Sequence, residues 1–225
     1  MIGAVIFDFD GIIVDSESIH YRAFQSVLEP LGLGFSWQEY LATYIGFDDR
    51  DAFRAAFDQA GKDLSPGRLA ELIGEKTKHF LAVVEDGIEP YPGVVELIEG
   101  LSGLVPVGLC SGALRCDIDP VLSDLGLSDH FSAMVTAEEV KTSKPHPASY
   151  ELALERLQEA FPEKGLLPGT VLAIEDTPAG IASARGAGLP VLAVSNSFPE
   201  ARLEGAARVV SSLEGLSLAE LESCL

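Results

Sequence analysis

Short apolar runs rich in Val, Ile and Leu constrain this chain more than any other feature: Ala4 to Phe7, Val105 to Leu109, Ala133 to Val135, Val171 to Ile174 and Val191 to Val194. Each is short and lacks polar alternation, the pattern of a strand covered on both faces. Between them lie segments with helical periodicity. Val94 to Leu101 puts Val94, Leu97, Ile98 and Leu101 on one face, and Ala148 to Phe161 does the same with Leu152, Leu154, Leu157 and Phe161. Strand and helix in alternation predict βαβ units, so the expected fold class is α/β with a Rossmann-like parallel sheet.

Residues 16–87 break this alternation, because no convincing strand occurs there. Ser16 stands where it could cap a helix ending near Gly32. Ser65 with Pro66 opens a longer helix through Val84, with Leu69, Leu72, Ile73, Phe80 and Val83 apolar. The expected organisation is a core of residues 1–15 and 88–225 carrying an inserted all-helical domain over residues 16–87.

Acidic residues outnumber basic ones 35 to 15 among 225 residues, a formal charge of -20. Such a surface repels nucleic acid and anionic membranes, so neither is an expected partner. It also repels anionic small molecules, and any phosphate site must therefore carry a strong local cation. Three sparse cysteines, Cys110, Cys116 and Cys224, fit neither a disulfide framework nor a paired zinc site. The N-terminal apolar run stops at Asp8 and has no basic leader, so the cytoplasm is the expected compartment. Oligomeric state has no sequence signature here, and a monomer or weak homodimer is the expectation.

In an open parallel sheet, ligands bind where loops leave the carboxyl ends of the strands. The first strand ends in Asp8, Asp10 and Gly11, and the second in Ser111 and Gly112. The loop after the third carries Ser143, Lys144 and Pro145, and the fourth ends in Glu175 and Asp176. Asp8 can attack phosphorus to form an acyl-phosphate. Asp10, two residues on, can give a proton to the leaving alcohol and later take one from water. So many carboxylates demand a cation, and oxygen donors beside phosphate favour Mg²⁺, held by Asp8, the Asp10 carbonyl, Asp176 and Glu175. Lys144 supplies fixed positive charge, and Ser111 with neighbouring backbone N–H groups can bind phosphoryl oxygens. Thr177, Pro178 and Gly188 read as N-cap, first position and end of the helix that follows the acid pair.

These residues coincide with a known pattern. The chain resembles the haloacid dehalogenase superfamily, through DFDGIIVDSE from Asp8, CSGA around Ser111, SKPHP around Lys144 and IEDTPAGIASARGAG around Glu175 and Asp176. That resemblance implies a helical cap inserted after the first strand and a magnesium-dependent phosphatase acting on a small phosphorylated metabolite. It points to the β-phosphoglucomutase and phosphoglycolate phosphatase branch, and implies substrate-side roles for Gly112, His20, Arg50 and Lys76. Ile45 replaces a lysine expected before Gly46, and Arg50 stands one place from the arginine expected to grip a distal phosphate. Hydrolysis is therefore preferred over a sugar-phosphate mutase, which stays as the alternative. A phospho-aspartate receiver is a further alternative, opposed by Asp10 and the insertion. Arg115 could reach substrate from the helix after Ser111. Cys110 in CSGALR invites a cysteine phosphatase reading, but Arg115 comes one residue early for that loop.

Overall fold

The computed structural model describes every residue except Asp86 and Leu225. The chain divides into two compact units, Met1–Asp15 with Glu89–Leu225, and Ser16–Ile88.

Among the described residues the first unit is built on six strands: β1 (Ala4–Phe7), β2 (Val107–Cys110), β3 (Ala133–Val135), β4 (Val171–Glu175), β5 (Val191–Val194) and β6 (Arg208–Val210). Their spatial order is β3-β2-β1-β4-β5-β6, parallel throughout. β2 starts two residues later than the apolar run suggests. The Val105 N–H turns back to the Leu101 carbonyl at 3.1 Å, and Pro106 has no N–H to donate to a ladder. β6 escapes the sequence reading because it is a three-residue edge strand, only partly buried, beginning with an arginine. On one face of the sheet, Ala4, Ile6, Val171 and Ala173 pack with Tyr150, Leu154 and Leu157 of the helix Ala148–Ala160 and with Ile181 and Ala184 of the helix Pro178–Gly186.

Among its described residues the second unit has helices and no strand, and it has its own core of Phe24, Leu28, Phe35, Tyr44, Phe53, Phe57 and Leu72. Its principal helices are Glu17–Leu28, Asp49–Gln59 and Pro66–Val84. Ser65 caps the last of these, accepting from Arg68 N at 3.3 Å, with Pro66 at its first position. Ser16 occupies the N-cap position of Glu17–Leu28, yet its side chain makes no capping bond. Its backbone is already helical, with φ -93° and ψ -13°, whereas a capping side chain needs an extended backbone to reach the following N–H groups. Asp48 has that geometry and accepts from Asp51 N at 2.9 Å. The helix Glu17–Leu28 stops short of Gly32 because Pro30 cannot continue it. A 3-10 turn Glu29–Leu31 follows, and Gly32 closes it at φ 69°.

Candidate active site

β1 lies between β2 and β4, where the strand order reverses direction, and crevices at such switch points collect ligands in α/β sheets. Parallel register pairs Phe7 with Leu109 on one side and Ile174 on the other, so the next residues, Asp8, Cys110 and Glu175, stand level. Asp8 N donates to the Ile174 carbonyl at 3.0 Å, fixing it to the end of β4.

Lys144 reaches into this row from the loop after β3. Its Nζ lies 2.8 Å from Asp8 Oδ1, 2.6 Å from Glu175 Oε1 and 3.1 Å from the Cys110 carbonyl. Three acceptors match the three protons of an ammonium. Asp8, Glu175 and Asp176 are all buried, and each offers an oxygen within 4.8 Å of the others. The sheet therefore brings together Asp8, Lys144, Glu175 and Asp176 from the ends of two strands and one loop.

The electrostatics follow from that packing. Burial holds the Asp8 carboxyl well above the usual carboxylate range, with repulsion from Glu175 adding to it and Lys144 opposing it; Asp10 adds a smaller repulsion. Burial works against the Lys144 charge, but Asp8 and Glu175 more than offset it, so its ammonium is held well above the ordinary lysine range. Three buried carboxylates face one lysine, and this excess of negative charge suits a hard divalent cation such as Mg²⁺. The donors are all oxygens, and the backbone makes room for them. A Cβ on Gly11 would lie 2.0 Å from Asp176 Oδ2, and Gly11 adopts φ +76°, which only glycine takes without strain.

Glu175 is anchored from several directions. Tyr150 donates its hydroxyl to Oε1 at 2.8 Å, and Oε2 accepts from Asp176 N at 3.2 Å and Thr177 Oγ1 at 3.4 Å. The helix Pro178–Gly186 begins beside it, capped by Thr177, whose Oγ1 accepts from Gly180 N at 3.0 Å. A Cβ on Gly180 would sit 2.0 Å from the Glu175 carboxylate, so glycine there lets the acid approach the positive end of the helix.

Ser111 is buried, and its Oγ accepts from Ala113 N at 2.9 Å, leaving the hydroxyl proton for an acceptor such as a phosphoryl oxygen. Gly112 has open space where a Cβ would point. The Arg115 side chain bonds Asp119 at 2.8 Å, and its backbone N–H meets Glu138 at 3.1 Å. Cys110 is wholly buried, and burial pushes its thiol up to about 12, which opposes the thiolate form that a cysteine nucleophile needs. Asp10 is half-buried and bridges to Val14.

In the helical unit, Lys76 is fully buried, its Nζ 2.8 Å from His20 Nδ1 and 2.9 Å from Asp49 Oδ1. Phe24 and Phe80 each lie with their ring centroid 5.2 Å from that ammonium, and His20 stacks on Phe80 at 4.4 Å. Arg50 donates through Nε to Asp48 Oδ2 at 2.9 Å and pairs with the same carboxylate through Nη2.

Reading the sequence missed Tyr150, Asp49 and Asn196. Tyr150 and Asp49 reach their partners across 25 and 27 residues, and single-sequence patterns carry no such pairing. Asn196 follows β5 and could have been flagged by the strand-end rule used for the other residues.

Comparison with known proteins gives the family. The family model for haloacid dehalogenase-like hydrolases matches residues 5–194. Fructose-1-phosphate phosphatase YqaB of Escherichia coli is 32% identical over 190 residues, spanning 84% of this chain and 95% of that protein. Among solved structures, CbbY from Rhodobacter sphaeroides in complex with phosphate superposes with a TM-score of 0.86 at 25% identity, covering 99% of this chain and 100% of that one. A β-phosphoglucomutase from Clostridium difficile gives 0.85 at 25% identity over 99% and 96%. The fold is an α/β parallel sheet with three buried carboxylates and a lysine gathered at its switch point. The chain belongs to the haloacid dehalogenase-like hydrolases, and it is a phosphatase of that family. No described helix is long and apolar enough to cross a membrane.

Proposed function

We propose that this enzyme hydrolyses a small phosphorylated sugar or related metabolite through an aspartyl-phosphate on Asp8, with Mg²⁺ as its cofactor. The observation that carries this reading is the placement of Asp8: a buried carboxylate 2.8 Å from Lys144 and within 4.8 Å of two further acids. The similarity to a fructose-1-phosphate phosphatase supports a sugar phosphate as substrate.

Asp8, Asp176, Glu175 and the Asp10 carbonyl would hold the cation. When bound, it would neutralise the acids and draw charge from the transferring phosphoryl group. Lys144 keeps Asp8 oriented and its charge available, since a carboxylate, not a carboxylic acid, must attack. An Asp8 oxygen bonds to phosphorus as the ester P–O bond breaks, and Asp10 gives its proton to the departing alcohol. Asp10 then takes a proton from water, the hydroxide attacks phosphorus, and the P–O bond to Asp8 breaks to release phosphate. Ser111 donates to a phosphoryl oxygen during both transfers, while Gly112 keeps the loop beside it free of side-chain bulk.

We assign substrate selection to the inserted helical unit, acting as a cap, through His20, Lys76 and Arg50. A fully buried lysine with a histidine and an acid is costly inside a small helical core, and such clusters gather at functional sites. A mutase is the second reading, favoured by the likeness to the β-phosphoglucomutase.

The test measures phosphate release from a panel of sugar phosphates with and without EDTA, for the parent enzyme and for Asp8→Asn. Metal-dependent release of one phosphate per substrate, lost in the variant, is expected. Retained turnover in Asp8→Asn would remove Asp8 from the mechanism, and isomerisation without phosphate release would favour the mutase.

A further inference from the structure

Asn196 follows β5 at the same carboxyl end of the strands as the reactive residues, yet the scheme above gives it no part. Its Nδ2 donates to the Gly11 carbonyl at 2.7 Å, across 185 residues of sequence. Gly11 N donates to the Val14 carbonyl at 3.0 Å. The two peptide groups flanking Gly11 are therefore both held, one by Val14 and the other by Asn196. The glycine is also wedged in place. A Cβ there would meet Asp176 Oδ2 at 2.0 Å and Ser197 Oγ at 2.9 Å.

Glycine is the residue with the most backbone freedom, and at φ +76° it forms the hinge immediately after Asp10. The bond to Val14 closes the turn on itself, but a bond inside a turn does not fix the turn against the sheet. Tyr91 N ties the far side of the turn through the Ile13 carbonyl at 2.9 Å, and Asn196 supplies the reference at Gly11 itself, because it directly follows β5 and its neighbour Ser195 donates to the Val210 carbonyl at 2.9 Å. We propose that Asn196 is a positioning residue which, through the Gly11 carbonyl, holds Asp10 at the distance from Asp8 needed to protonate the leaving group. This rests on Asp10 being the acid of the reaction.

Leaving groups report on such a role directly. A nitrophenolate departs with little need of a proton, whereas an unsubstituted phenolate needs one, so an acid out of place penalises the second more. The experiment follows kcat/KM, which covers formation of the phosphoenzyme, for p-nitrophenyl phosphate and phenyl phosphate. It compares the parent enzyme, Asn196→Ala, Asn196→Leu (the same branching and number of side-chain heavy atoms but without a donor) and Asp10→Asn, below each variant's unfolding temperature. Both Asn196 variants should lose about tenfold or more with phenyl phosphate but about threefold or less with p-nitrophenyl phosphate, and Asp10→Asn should discriminate in the same direction more strongly. If Asp10→Asn discriminates while the Asn196 variants lower both substrates equally, or neither, Asn196 is only structural and the proposal is overturned. If Asp10→Asn does not discriminate, the acid role itself falls and the proposal with it.

Discussion

Asp8→Asn should do more than abolish turnover: in metal-free buffer at neutral pH it should make the protein harder to melt. Asp8 lies within 4.8 Å of an oxygen of both Glu175 and Asp176, and at an effective dielectric near 20 each repulsion is about 3.5 kcal/mol. The 2.8 Å contact with Lys144 offsets about 6 kcal/mol on the same scale. Roughly 1 kcal/mol remains against the Asp8 charge before its burial is considered, and desolvation increases that cost. Asparagine keeps an oxygen for Lys144 and loses the charge, so a gain of about 1–3 kcal/mol is expected, at about 2–4 °C per kcal/mol for a chain of this size. The sign with pH follows from the raised carboxyl of Asp8. A group whose folded value is raised contributes stability that is present below its unfolded value of 3.8 and lost as pH rises through the folded value. The advantage of asparagine should accordingly vanish in acid, grow as pH rises, and shrink again when saturating Mg²⁺ binds the parent protein preferentially. Differential scanning calorimetry in EDTA across this range, repeated at neutral pH with Mg²⁺ in place of EDTA, reads all three behaviours. A variant that melts at or below the parent at neutral pH would refute the charge balance drawn here.

Thiol chemistry tests the burial of the β2 strand end. Iodoacetamide at mildly alkaline pH should label the exposed Cys116 in the native protein, whereas Cys110, buried with its thiol pushed up to about 12, should react only after denaturation; mass spectrometry of native Cys110 carrying the label would contradict the structure. In the helical unit, Lys76→Met strands the Asp49 carboxylate and should cost about 3–5 kcal/mol, most of it restored by adding Asp49→Asn. Denaturant titration of the single and double variants checks this, and strictly additive effects would show that the two residues do not act as a pair.

Much of this protein was legible in its sequence, for local reasons. β1, β3 and β5 coincide with their apolar runs because strands buried on both faces need unbroken hydrophobic residues. The helix Pro66–Val84 begins where Ser65 and Pro66 announce it, since caps are short-range chemistry. Asp8, Lys144, Glu175 and Asp176 were identifiable because the ends of parallel strands converge, so a strand pattern locates a site before any contact is known. The tertiary structure alone decided the rest. Whether Ser16 caps its helix depends on a backbone angle that composition does not specify. β6 exists because an edge is available beside β5, not because three residues prefer to be extended. Tyr150 on Glu175, Asp49 on Lys76 and Asn196 on Gly11 join parts of the chain whose separation carries no periodic signal. Their energies arise only once the sheet and the helices have brought those polar groups out of water together.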